Sequence, residues 1–287
     1  MSSFITLSEH SDRLYILLSK LSHVEQKTKQ GVKSQEWLSA ADWIHIAASI
    51  DKVTLNINKF DESVLYCGAA SEYESKRNEL LTHLVTKLSV FNFIWGGLET
   101  VIKIISPTHL DIELAKKLKR KNEVVDRAIF YLKQEYDPMS RIPMYDEIVS
   151  QLRLLLAKHP SYSELNKFFQ EDEITSISGL GFHIVRKIRN DFAHGSAELP
   201  IPDNWGEKGS TITTSEQLNL DIIEISSRIL LLTIQMLLLA FYKSKNFSVD
   251  FLKDDDGLAF DENLDVVLRV LHLADYRVDQ KQMKLLT

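Results

Sequence analysis

Glycine and proline, the residues that most readily break a helix or turn a chain back on itself, are scarce in this sequence: 10 and 6 in 287 residues. Between the few breaks, apolar residues return every three to four positions. Leu14, Leu17, Leu18 and Leu21 form one such stripe. That period lines up side chains on one face of an α-helix. The expected fold class is therefore all-α: a helical bundle with an N-terminal helical extension, at most one short strand pair, and a short mixed C-terminal tail.

The pattern predicts a first helix over about 7–27, stopped by Gly31, and a second that starts at Ser34 and runs through Trp43 to Ile50. In the stretch that follows, Val53, Leu55 and Ile57 alternate with Thr54, Asn56 and Asn58, which is a strand period; a short strand and an irregular helix end both stay open there. A long helix is expected over 72–105, ending at Ser106-Pro107. It contains Gly96-Gly97. Each glycine costs a helix about 1 kcal/mol relative to alanine, so close approach of another helix or a local kink must compensate. Further helices are expected over 111–136, 145–158 and 161–171, then a turn over 176–181 and a helix over 182–193. Residues 195–214 read as a long surface loop with room for a strand at 211–213. A long apolar helix over 215–243 follows, then a tail in which 266–273 reads as helix or strand. The expected units are an extension over 1–75, a helical domain over 76–245, and a tail over 246–287 packed on the bundle.

Several function classes fall away. The single cysteine, Cys67, forms no internal disulfide, suits a reducing compartment and is poor material for a zinc site. Neither His83, His109, His159, His183 and His272 nor the run Asp254-Asp255-Asp256-Gly257 has metal-ligand spacing. No metal and no cofactor is expected, since no phosphate-binding glycine loop and no nucleophilic serine or cysteine motif occurs. The N-terminus shows no signal peptide. The most apolar run, Ile229 to Tyr242, is shorter than the ~20 residues of a membrane span, so a buried core helix and a cytoplasmic protein without a membrane partner are expected. The net charge of −6 removes bulk attraction to nucleic acid, so any RNA contact must be local.

One segment carries the chemistry: Lys187-Ile188-Arg189-Asn190-Asp191-Phe192-Ala193-His194-Gly195. A histidine titrates near neutrality and can move protons to and from the 2′-hydroxyl and the leaving 5′-oxygen of RNA. A guanidinium forks onto two phosphate oxygens and stays charged. Such a pair cuts RNA without a metal and spares DNA, which lacks the nucleophile. Geometry limits it: residues five apart point ~140° from each other on an ideal helix, so the helix must end or kink between them, or two chains must pool their residues. An arginine and a histidine in a last turn also simply complement the helix dipole.

Arg189-Asn190, followed by His194-Gly195 with Phe192-Ala193 between, resembles the signature of the HEPN superfamily, in the form found in anti-phage proteins. Phe93-Ile94-Trp95-Gly96-Gly97-Leu98-Glu99 resembles that family's earlier helix, in which an acidic residue follows an aromatic stretch. The resemblance spans about residues 76–245. It implies a HEPN-like helical bundle and a metal-independent endoribonuclease, acting in phage defence or as a toxin. Arg189 would bind the scissile phosphate, His194 would handle protons, Asn190 would orient one of them or hold the phosphate, and Glu99 would anchor Arg189 or His194. Lys187, Arg186, Lys119 and Arg120 are the expected RNA-contacting cations. The resemblance also implies a homodimer with both motifs in one cleft, and a cognate antitoxin or defence-system partner. The alternative is a non-catalytic HEPN module that binds a protein or nucleotide. The dimer axis is expected beside helices 182–194 and 215–243, because the latter is apolar on more faces than one neighbour would cover. Phe192 and Ala193 are expected to point into the core. Ser178-Gly179-Leu180-Gly181 resembles the glycine turn of helix-hairpin-helix modules, and an ordinary turn is expected there.

Overall fold

The computed structural model describes residues 3–27, 34–57, 59, 68–107, 123–137, 142–194, 199, 214–243, 248–253 and 259–274. Within them the chain is mostly helical, as the spacing of apolar residues requires. Helix α1 (Leu7–Lys27) and helix α2 (Ser34–Ser49) form a hairpin that packs on α3 (Gly68–Ile105). The glycine pair explains how closely they pack. A Cβ on Gly96 would lie 2.8 Å from Trp43 Cε3, and one on Gly97 2.6 Å from Ile44 Cδ1. Close approach of α2 is therefore what compensates the two glycines.

The alternating stretch 51–57 is neither strand nor helix and ends in a turn at Ile57. The Val53 amide donates to Thr86 Oγ1 (3.0 Å) and the Ile57 amide to Asn78 Oδ1 (3.4 Å). The segment runs backwards along α3, with side chains of that helix taking the place of a neighbouring strand. Helix α4 (Val124–Tyr131) loosens into a π-helical turn (Leu132–Tyr136) that ends with Asp137 N–H on the Leu132 carbonyl, 3.0 Å away. Helix α5 (Tyr145–Lys158) follows, and the expected helix 161–171 is a 3₁₀ segment, Ser163–Phe168.

Helix α6 (Ile177–Ala193) starts five residues earlier than expected, so the turn reading of 176–181 is corrected. Its glycines admit neighbours instead of turning the chain. A Cβ on Gly179 would meet Ile129 Cγ2 at 2.8 Å; one on Gly181 would meet Tyr145 Oη at 2.8 Å and Val149 Cγ2 at 2.9 Å. Tyr145 Oη donates to the Ser178 carbonyl (2.7 Å), and Ser178 Oγ donates to Asp137.

Helix α7 (Thr214–Tyr242) is the axis of the fold, and every residue from 226 to 240 is buried. It packs against α1, α3, α5, α6, the π-helical turn and the C-terminal helix described next. The stretch Gln217–Tyr242 has the length and apolarity to cross a membrane, but 89% of its apolar window is buried inside the chain; α3 passes the same test with 50% buried. This removes the reason for placing a dimer axis at α7: from 226 to 240 its apolar faces are covered by its own chain.

The tail forms an antiparallel pair, β1 (Ser248–Lys253) and β2 (Ala259–Asn263), with an irregularity between Asp250 and Leu252. Helix α8 (Leu264–Val270) follows, its start capped by Asn263 Oδ1 accepting from the Asp265 amide (2.8 Å). The first and last described segments come together: Ile5 N–H donates to the His272 carbonyl (3.2 Å) and Ala274 N–H to that of Ser3 (2.8 Å). A buried polar chain seals this joint. His10 Nε2 meets Gln235 Oε1 at 2.7 Å; the Gln235 amide nitrogen reaches the Leu268 carbonyl and, at 3.3 Å, His272 Nδ1; His272 Nε2 meets the Pro143 carbonyl at 3.0 Å. One continuous core includes Leu14, Trp37, Ile94, Phe182, Leu237 and Leu268. The boundary drawn at 75/76 falls inside α3.

Candidate functional site

The site lies where side chains of α6 meet Trp95 on the second half of α3. Ile184, Val185 and Ile188 bury one face of α6, which leaves its last turn at the rim. There the Arg189 guanidinium lies over the Trp95 ring, 5.4 Å from its centre. Trp95 is only 5% exposed. It is flanked by Phe182 at 5.8 Å and Phe91 at 6.3 Å between ring centres. Its indole Nε1–H donates to Glu99 Oε1 at 2.7 Å. Glu99 is thus joined to Arg189 through Trp95, and among the described residues no ion pair links the two directly.

The other face of the same turn has different neighbours. Lys187, Asp191 and His194 follow at helical spacing. Lys187 Nζ sits 3.7 Å from the centre of the Phe168 ring. Burial raises the Asp191 carboxyl above its ordinary value, while the charges of Lys187 and His194 pull it back. Burial, and then the nearby Asp191 charge, push the Tyr162 hydroxyl up to about 12. Asp191 thus lies within electrostatic reach of Tyr162, in the turn after α5, and of His194.

Helix α6 runs unbroken to Ala193, and His194 is its C-cap, with its amide on the Asn190 carbonyl at 2.9 Å. No kink separates Arg189 from His194. An unbroken helix keeps them ~140° apart. Arg189 looks to Trp95, exposed His194 to the Asp191 side, and half-buried Asn190 lies between. Phe192 packs against the core, whereas Ala193 is exposed, which corrects its expected place inside. It follows Arg189 by one turn, on the stripe that has already left the bundle.

Of the expected RNA-contacting cations, Lys187 lies on the motif's face. Arg186 is engaged elsewhere: its Nη1 is 3.1 Å from Oδ1 of Asp126, a carboxylate 1% exposed, and 3.7 Å from Glu123 Oε2. Lys119, Arg120, Gly195, Cys67, the stretch 254–257 and the loop 195–213 apart from Leu199 lie outside the described residues. Sequence reasoning missed Trp95 as a partner of Arg189. The available signal was Trp95 four residues before Glu99, which sets an N–H donor and a carboxylate on one helix face. It also missed Asp191, for which Lys187 and His194 at the same helical spacing were the signal.

Among the described residues, no group of three or more His, Cys, Asp or Glu is placed to hold a metal ion. A cavity of about 210 Å³ lies between the end of α7 and the β2–α8 junction, lined by Leu239, Tyr242, Lys243 and Asp265, apart from the motif. Compared with known proteins, the chain matches no family model, no curated protein and no solved structure.

Proposed function

We propose that this chain is a metal-independent endoribonuclease of HEPN type, acting in phage defence or as a toxin. The observation that carries the reading is Arg189: a guanidinium lying over the buried Trp95 ring near the helix end, five residues before an exposed histidine that interacts electrostatically with Asp191. Arg189 binds the phosphate and stabilises the charge of the phosphorane. His194 takes the 2′-hydroxyl proton or returns one to the leaving 5′-oxygen. Asn190 adds an amide to the phosphate, and Lys187 an outer contact.

Because Arg189 and His194 diverge on one helix, the active form is a homodimer in which each phosphate meets Arg189 of one chain and His194 of the other. The axis lies beside the end of α6 and away from α7. The protein works in the cytoplasm, without a membrane partner, and a cognate antitoxin or defence-system protein holds it in check.

The test is a gel assay of the purified protein on total RNA and on tRNA with EDTA present. Cleavage leaves a 2′,3′-cyclic phosphate, and His194→Ala and Arg189→Ala each abolish it while far-UV circular dichroism is unchanged. Cutting that continues unaltered in both variants refutes this site. Light scattering at micromolar concentration reports the dimer. The same divergence of Arg189 and His194 favours one second reading, a non-catalytic HEPN module that binds a protein or nucleotide; it predicts no cleavage by the wild type and capture of a partner that depends on Arg189.

A further inference from the structure

We propose that Trp95 is the positioning residue of Arg189, and that Glu99 acts on Arg189 only through Trp95, as the acceptor that fixes the indole. The inference deepens the ribonuclease reading and rests on it for one of its two measurements.

A guanidinium offers two kinds of surface. Its five N–H donors lie in its plane, where they meet carboxylates and phosphates; its faces have no donors and stack on rings. A carboxylate paired directly with Arg189 would occupy the donors that a phosphate needs and would repel the phosphate itself. The Arg189 guanidinium lies over the Trp95 ring, 5.4 Å from its centre, and among the described residues no carboxylate is paired with it. The side chain is therefore held in one place before a phosphate arrives, with its donors still available.

The ring can do this only if it is itself immobile. Phe91 and Phe182 flank it, and its one polar atom, Nε1, is fixed on Glu99 Oε1 at 2.7 Å. Glu99 sits one helical turn after Trp95 on α3, so the bond forms within a rigid element. The carboxylate is thus engaged by the indole and kept one side chain away from the phosphate. What the position requires is an acceptor, and a negative charge is incidental.

Four variants test this: Trp95→Leu removes the ring, Trp95→Phe keeps a ring without the N–H, Glu99→Ala removes the acceptor and Glu99→Gln keeps it. The first measurement is the NMR signal of the Arg189 side-chain Nε–H, assigned by its loss in Arg189→Lys. The ring current of Trp95 displaces that proton upfield in the wild type and in Glu99→Gln. In Glu99→Ala the displacement shrinks and the indole N–H signal moves. An undisplaced signal in the wild type overturns the proposal, with no reference to any activity. The second measurement is single-turnover RNA cleavage. Trp95→Leu and Glu99→Ala slow it tenfold or more, Trp95→Phe less, and Glu99→Gln stays within threefold of the wild type. Glu99→Gln as slow as Glu99→Ala also overturns the proposal, because the charge itself would then be at work. A wild type that shows the displaced signal but cuts no RNA refutes the ribonuclease reading and leaves the positioning of Arg189 standing.

Discussion

Acidification should open this protein at the joint between residues 3–5 and 272–274, and the buried histidine chain sets the amount. The hydrogen bonds define the protonation states. Gln235 Oε1 accepts, so His10 donates from Nε2; the Gln235 amide donates to His272 Nδ1, so His272 donates from Nε2 to the Pro143 carbonyl. Both rings are neutral. A proton added at His272 Nδ1 would face the Gln235 amide hydrogens, donor against donor. The surroundings add to this. Burial, then the Arg228 charge, lower the His272 pKa to about 4 against support from the Pro143 carbonyl. Burial first, then His272, Arg228 and Arg13, hold His10 well below its ordinary value, against support from Gln235. Glu9 pairs with Arg13 at 2.7 Å, and Glu224, ion-paired with Lys87, adds a favourable charge near Arg228.

The sign follows from which state takes the proton first. The unfolded chain protonates His272 near 6.5 and the folded one only near 4, so its stabilisation is whole above pH 6.5 and falls away as the pH drops to 4. That difference is worth about 3 kcal/mol for His272 alone, and His10 adds in the same direction. Against a usual total of about 5–15 kcal/mol this is a large share. The assay is urea unfolding followed by circular dichroism at steps from pH 7 to 4, for the wild type and for His272→Gln, which does not titrate. The wild type should lose about 3 kcal/mol more than the variant over that interval. Parallel losses in the two proteins, or an NMR titration of His272 centred near 6.5, would show that the joint is not the acid-sensitive element.

Two further outcomes concern packing and the motif's flank. Gly97→Ala should destabilise by about 1–2 kcal/mol in denaturant unfolding, because the new methyl collides with buried Ile44 by more than the helix gains from alanine; Gly68→Ala, with nothing within 4 Å, should be neutral. Arg186→Ala should cost about 3 kcal/mol of stability, since it strips an ion-pair partner from buried Asp126, and its effect on RNA cleavage should track unfolding; a fully stable variant with lost cleavage would return Arg186 to the RNA-contacting set.

How much of this was legible in the residues differs element by element. The helices α1, α2, α3, α5 and α7 follow from apolar spacing, because a helix must bury one stripe whatever it meets. The Gly96-Gly97 pair announced a compensation, a close neighbour or a kink, because two glycines inside a helix are costly without one. Spacing does not say which neighbour. Gly179 and Gly181 read as a turn, and only Ile129, Tyr145 and Val149 arriving from other elements made them packing sites within α6. The alternation of Val53, Leu55 and Ile57 marked an extended chain, but α3 supplied the hydrogen bonds that a strand would have given. The excess of apolar surface on α7 was visible and its cause was not, since a helix at the centre of one chain and a helix between two chains carry the same pattern. At the site, the sequence alone determined which chemical groups stand side by side near the end of α6. Tertiary structure decided their roles, because a side chain's chemistry is set by what meets it from a distant part of the chain. Arg186 became an ion-pair partner when Asp126 was placed beside it, and Arg189 came to lie over a ring when α3 placed Trp95 near it.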